Sequence, residues 1–127
     1  ARRVLSLAVS GPFHSSLLQN AGKELEKELS KVELSGLKIP YVTNVTAQYV
    51  TDIRETKDLL ARQISSSVLW QQSVEKMIQE GVDTFVEIGP GKTLAGFMKK
   101  IAPEMKTYNI QNVEDLEQIS DIIHSRK

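Results

Sequence analysis

The sequence has no cysteine, no excess of charge and no long apolar run, and each absence excludes a class of protein. Without cysteine there is neither a disulfide framework nor a thiolate nucleophile. The 16 basic and 16 acidic residues cancel, so no overall field attracts a nucleic acid or an anionic membrane. No apolar run approaches the ~20 residues that span a bilayer. These absences favour a soluble cytoplasmic protein that binds neither nucleic acid nor membrane.

Only two histidines are present, and they lie far apart in the sequence. That separation gives no metal-ligand spacing, so we expect no metal site. His124 lies in a polar tail. His14 lies between an apolar run and an amphipathic segment, and histidine titrates near neutral pH, so His14 is a candidate general base. The alternative is a histidine that satisfies a local hydrogen bond.

The apolar pattern alternates between short β-rich segments and longer helical ones. Strands are predicted at residues 4–9, 39–45, 83–88 and 106–110, and helices at about 16–30, 52–64, 68–80, 92–101 and from 113 onward. Asp52 and Glu55 have the spacing of a capping box, a serine run at 65–67 interrupts the second helix, and Gly81 ends the third. Strands that alternate with helices indicate an α/β fold with a mainly parallel sheet.

The segment VEIGPGKTL places GKT between a predicted strand and a predicted helix, which invites a phosphate-loop interpretation. A Walker loop needs glycine where Val86 stands, and the dinucleotide pattern needs glycine where Leu94 stands. Gly89-Pro90-Gly91 is therefore predicted to be a tight strand-to-helix turn. The backbone amides at the start of that helix remain open to an anion.

Four segments occur in a fixed order in this chain: SGPFHSSLL, IPYVTNVT, ARQISSSVLWQQSVE and VEIGPGKTLAGFMKK. Together they resemble the C-terminal part of malonyl-CoA:acyl carrier protein transacylases, over roughly residues 3–110. That family carries its nucleophilic serine in a GxSxG pentapeptide, which this sequence lacks. We therefore expect a C-terminal piece that is inactive alone and binds a missing N-terminal part that supplies the serine.

The resemblance also implies a fold and a division into domains. It implies that the chain is the C-terminal part of an α/β-hydrolase-like core with a parallel sheet, preceded by the last strand of a ferredoxin-like insert. Residues 1–13 would be the end of the ferredoxin-like subdomain, and residues 14–127 would belong to the core.

The activity implied by the resemblance is transfer of malonyl from coenzyme A to the phosphopantetheine thiol of acyl carrier protein, through a malonyl-serine, in fatty-acid biosynthesis. His14 would be the base, and Gln63, through its backbone carbonyl, would orient the ring. Phe13 would disfavour methylmalonyl by its bulk, and Arg3 would face the phosphates of coenzyme A. The thioester is a substrate, and no cofactor is implied.

Other interpretations of these residues and of the chain stay open. Gln63 could be a solvated helix residue, Phe13 an aromatic that closes a turn, and Arg3 an ordinary surface charge. The same segments occur in acyltransferase domains of polyketide synthases, so a malonyl-selective domain of that kind is the near alternative. A non-catalytic fragment that docks a carrier protein is the alternative from a different class.

Overall fold

The computed structural model describes residues 11–124. The strand predicted at 4–9, and Arg3, lie outside the described residues. The chain forms two compact units that divide between Ser73 and Val74. None of the helices in the described part has the length and apolar character needed to cross a membrane.

The first unit is mainly helical. It contains a 3-10 turn at Ser16–Leu18, helix α1 at Gln19–Ser30, strands β1 at Tyr41–Val42 and β2 at Tyr49–Val50, a 3-10 turn at Ile53–Glu55 and helix α2 at Thr56–Gln63. Helix α3, at Trp70–Gln79, begins in this unit and ends in the next. The apolar and small side chains buried in the first unit are Ala47, Val50, Leu59 and Ala61.

Helix α1 packs against α2 at Gly22, which is buried. A β-carbon at Gly22 would lie 3.0 Å from the backbone carbonyl oxygen of Ala61 in α2. That separation is closer than ordinary van der Waals contact, so only glycine lets the two helix backbones approach this far. The apolar face predicted for α1 is incompletely covered, because Leu25 and Leu29 are only half-buried.

The capping box predicted at the start of α2 is only half correct. The Asp52 carboxylate accepts a hydrogen bond from the backbone N–H of Arg54 at 2.9 Å, so Asp52 does cap this segment. Its other partner is the Arg54 guanidinium, whose hydrogen bonds hold the pKa of the Asp52 carboxyl below its ordinary value. The backbone N–H of Glu55 donates to the Asp52 carbonyl oxygen at 3.2 Å, so the Asp52 carboxylate caps Arg54 rather than the residue that a capping box requires.

The strand predicted at 39–45 is instead a short hairpin. Strands β1 and β2 pair antiparallel, with Tyr41 opposite Val50. Ala47, with φ +54°, reverses the chain, and its N–H donates to the carbonyl oxygen of Thr43 at 2.9 Å. The uniform β-branched and aromatic composition of this segment concealed the turn, because the sequence contains no glycine or Asn-Gly pair there.

The second unit contains one parallel strand pair with a helical crossover. Strand β3 (Thr84–Ile88) leads through helix α4 (Thr93–Ile101) to strand β4 (Lys106–Ile110), and helix α5 (Val113–His124) follows. The strands are in register with Val86 opposite Tyr108, which confirms the predicted parallel pairing. Gly81, with φ +93°, follows α3 in the left-handed conformation expected of a helix-ending glycine. The buried apolar residues are Val74, Met98, Ala102 and Ile119.

The Gly22 contact predicts opposite effects for the same substitution in two helices. Gly22→Ala should lower the free energy of unfolding by about 1–3 kcal/mol, because the new methyl meets a helix backbone that cannot yield cheaply. Gly96→Ala in α4 is the matched control, since its β-carbon would meet nothing within 4 Å. It should raise stability by up to about 1 kcal/mol. Urea unfolding measures both, and equal effects would contradict the close approach of α1 and α2.

Candidate active site

His14 has an unusual backbone conformation and lies just before the 3-10 turn at Ser16–Leu18. Its φ is +56°, in the left-handed region, which costs a residue with a side chain about 1–2 kcal/mol. The turn is closed on one side by Ser15, whose hydroxyl donates to the carbonyl oxygen of Pro12 at 2.7 Å. Strained backbone of this kind is concentrated at functional sites, where it aims a side chain in a direction that relaxed backbone would not.

The imidazole of His14 meets the far end of helix α2. Its Nδ1 atom lies 2.9 Å from the backbone carbonyl oxygen of Gln63, although 49 residues separate the two in sequence. A carbonyl oxygen can only accept, so Nδ1 must carry the proton of the neutral ring. The lone pair is then on Nε2, which has no hydrogen-bond partner within residues 11–120. The ring is therefore held in the tautomer that a general base needs, with its basic nitrogen available.

Helix α2 also supplies an electrostatic contribution. Gln63 is its last residue, so the carbonyl that contacts His14 belongs to the helix end, where partial negative charge accumulates. The structure thus brings His14 and Gln63 together through ring and backbone, and the amide side chain of Gln63 takes no part in the contact.

Phe13 lies beside His14, and its ring is 64% exposed. The ring folds back over the chain, because a β-carbon on Gly11 would lie 3.3 Å from two of its atoms. Phe13 is therefore not a buried core residue in the described part of the chain. Arg3 lies outside the described residues, so only three of the four predicted site residues can be located.

The glycine-proline-glycine turn after β3 and the start of α4 have backbone amides that bond to the protein's own side chains. The Glu87 carboxylate accepts hydrogen bonds from the backbone N–H groups of Leu94 at 3.1 Å and Ala95 at 2.8 Å, at the start of α4. The N–H of Gly91 donates to the side-chain oxygen of Gln111 at 2.9 Å. The amides that the sequence left open to an anion are thus occupied by the protein's own side chains. Glu87 gave no signal in the sequence, where it is one polar residue of an alternating strand.

The comparisons with known proteins point to one family. No family model matches the chain. The Staphylococcus aureus (strain COL) "Malonyl CoA-acyl carrier protein transacylase" is 44% identical over 116 residues, which are 91% of this chain and 38% of that protein. The chain is a homologue of the C-terminal part of malonyl CoA-acyl carrier protein transacylases. The family named from the sequence motifs is therefore confirmed.

Solved structures agree with this relationship. The malonyl CoA-acyl carrier protein transacylase from Clostridium perfringens superposes with a TM-score of 0.86 at 39% identity, over 95% of this chain and 38% of that one. A malonyl-transacylase crystallised with a type II polyketide acyl-carrier protein superposes with a TM-score of 0.81 at 31% identity, over 87% of this chain and 36% of that one. The chain thus spans well under half the length of the transacylases it matches.

The geometry at His14 predicts a measurable tautomer. Neutral His14 should be protonated at Nδ1, because its partner is a carbonyl, and Gln63→Ala should leave this unchanged, because the acceptor is backbone. Imidazole nitrogen NMR shifts report which nitrogen carries the proton, and His124→Gln assigns the signals. A neutral ring protonated mainly at Nε2 would contradict the contact with Gln63.

Proposed function

We propose that this chain forms the C-terminal part of an enzyme that transfers malonyl from coenzyme A to the phosphopantetheine thiol of an acyl carrier protein in fatty-acid biosynthesis. The observation that carries the proposal is the contact of His14 Nδ1 with the Gln63 carbonyl, in a homologue of transacylases of that name. The thioester is already an activated acyl donor, so the proposed reaction needs no cofactor.

His14 is the proposed base for both half-reactions. In the first, Nε2 accepts the proton of a serine hydroxyl as the serine oxygen attacks the thioester carbonyl, and the proton passes to the departing thiolate of coenzyme A. In the second, Nε2 accepts the proton of the carrier-protein thiol as its sulfur attacks the malonyl-serine ester. The same proton then returns to the serine oxygen as the ester bond breaks.

The serine is proposed to lie on an N-terminal part that packs against this chain, since no GxSxG pentapeptide occurs in the sequence. Exposed apolar surface on the second unit supports such a partner. Ile88, Val113 and Leu116 are 78%, 67% and 52% exposed. No strand in the described part pairs with the outer edge of β3. An open edge beside apolar side chains is suited to receive another strand.

Phe13 is proposed to select malonyl over methylmalonyl. An exposed ring immediately before the base can occupy the space that a methyl group on the α-carbon of the acyl chain would need. Discrimination against one methyl group in this way is worth only ~1–3 kcal/mol, so the preference is graded. Arg3 is proposed to face the phosphates of coenzyme A, on the resemblance alone.

The finer assignments of fold and location are proposals as well. Residues 14–127 would belong to an α/β-hydrolase-like core and residues 1–13 to the end of a ferredoxin-like subdomain, as in the enzymes that the chain resembles. The proposed place of the reaction is the cytoplasm.

A polyketide context is the second candidate. The solved malonyl-transacylase bound to a type II polyketide carrier protein has the same fold over most of this chain. The chemistry proposed for His14 is identical in that context, and only the carrier protein differs. Acyl carrier protein is thus the proposed partner in either case.

A chimera tests the proposed activity. The N-terminal part of the Staphylococcus aureus relative, joined to this chain, should transfer malonyl from malonyl-CoA to holo acyl carrier protein, whereas this chain alone should form no malonyl-enzyme. His14→Asn in the chimera should lower kcat by about 10²- to 10⁴-fold, because it removes the base. Asparagine tolerates the left-handed backbone, so the turn should survive.

Gln63→Ala is the matched control for the loss at His14. It keeps the backbone carbonyl, so transfer should stay close to that of the unsubstituted chimera. Near-normal transfer by the His14→Asn chimera would overturn the assignment of the base. Carrier-protein binding by this chain alone, with an inactive chimera, would favour a docking fragment instead.

Selectivity gives a separate prediction for Phe13. In the same chimera, Phe13→Ser should reduce the preference for malonyl-CoA over methylmalonyl-CoA by about 10- to 200-fold in kcat/KM, because the space for the extra methyl is opened. Leu17→Ser removes another strongly exposed apolar side chain nearby in sequence and should leave the ratio unchanged. An unchanged ratio for Phe13→Ser would show that the ring does not meet the acyl group.

A further inference from the structure

The carbonyl that holds His14 is available only because α2 ends where it does. In a continuing α-helix, the carbonyl of Gln63 would accept the backbone N–H of residue 67, four positions on. Here α2 ends at Gln63, and the N–H of Ser65 donates back to the carbonyl oxygen of Arg62 at 3.2 Å. The chain then leaves the helix, and the imidazole of His14 takes the place beside the Gln63 oxygen.

The segment that ends the helix is the serine run, Ser65–Ser67. Serine is less favourable than alanine inside a helix, because its hydroxyl competes for nearby backbone groups. The Ser65 hydroxyl faces the carbonyl oxygen of Arg62, at 3.5 Å. After the serine run, the backbone N–H of Leu69 donates to the carbonyl oxygen of Asn44 at 3.0 Å. This bond fixes the end of the segment between α2 and α3.

We infer that the serine run is a positioning segment for the proposed base: it ends α2 at Gln63, withholds the amide of residue 67 and so keeps the Gln63 carbonyl for His14. No side chain of the run needs to touch the substrate for this role. The inference deepens the proposed function and rests on it for the catalytic consequence. The effect on the imidazole itself is independent of that function.

Two variants of the run separate this role from a merely structural one. Ser65→Ala/Ser66→Ala/Ser67→Ala favours another turn of helix by about tenfold, so the amide of residue 67 competes for the Gln63 carbonyl. Ser67→Pro has no amide to compete and disfavours helix at Ser66. The triple variant should lower the ratio of the Nδ1–H to the Nε2–H tautomer of neutral His14 by up to about tenfold, whereas Ser67→Pro should leave that ratio unchanged. Imidazole nitrogen NMR on this chain measures both.

Ser30→Ala is the matched control, because Ser30 also ends a helix and donates to the carbonyl three residues back, that of Lys27, at 2.7 Å. It should leave the His14 tautomer unchanged. A folded triple variant with an unchanged tautomer would overturn the inference. If the triple variant does not fold, Ser67→Pro still tests the inference. Proline has no amide at residue 67 to compete for the Gln63 carbonyl, so loss of the Nδ1–H tautomer in a folded Ser67→Pro variant would contradict the inference.

The catalytic consequence is measured in the chimera. The triple variant should lower kcat by up to about tenfold with an unchanged KM for malonyl-CoA, and Ser67→Pro should preserve kcat. An altered tautomer with unchanged kcat would overturn the positioning role in catalysis. If even the unsubstituted chimera transfers no malonyl while the tautomer responds as expected, the proposed function fails and the structural inference stands.

Discussion

The site depends on one hydrogen bond, from the His14 ring to the backbone carbonyl of Gln63. In the first unit this bond joins the turn at His14 to the end of α2, with 2.9 Å between Nδ1 and the carbonyl oxygen. The left-handed backbone at His14 aims the ring, and Gly22 lets α1, which follows the turn, lie directly on α2.

Using a backbone carbonyl as the partner has chemical consequences. A carboxylate partner brings a full charge, whereas a carbonyl at a helix end brings only the partial charge of the peptide dipoles. It nevertheless determines the tautomer, because a carbonyl has no proton to give. The residue type at Gln63 is therefore almost free to vary, while the place where α2 ends is not. The contact with His14 therefore constrains where the backbone leaves α2, and it does not constrain the side chain at position 63.

The second unit uses its charged and polar side chains to hold its own backbone. Glu87 occupies the amides at the start of α4, and Gln111 ties the turn at Gly91. Three backbone amides of the strand-to-helix turn and helix start, those of Gly91, Leu94 and Ala95, therefore bond to side chains of the protein itself. The apolar side chains left exposed near the carboxyl ends of the strands are suited to cover by another part of the protein.

The sequence by itself determined the alternation of strands and helices, the parallel pairing of β3 with β4 and the family, because periodic apolar residues and ordered motifs are local signals. It also singled out His14 and Gln63 as candidates. It could not reveal the hairpin turn at Ala47, the bonds of Glu87 or the left-handed backbone at His14. Each of these depends on which backbone groups come within hydrogen-bond distance after folding. Only the tertiary structure decides those distances, because the partners lie several to many residues apart in the chain.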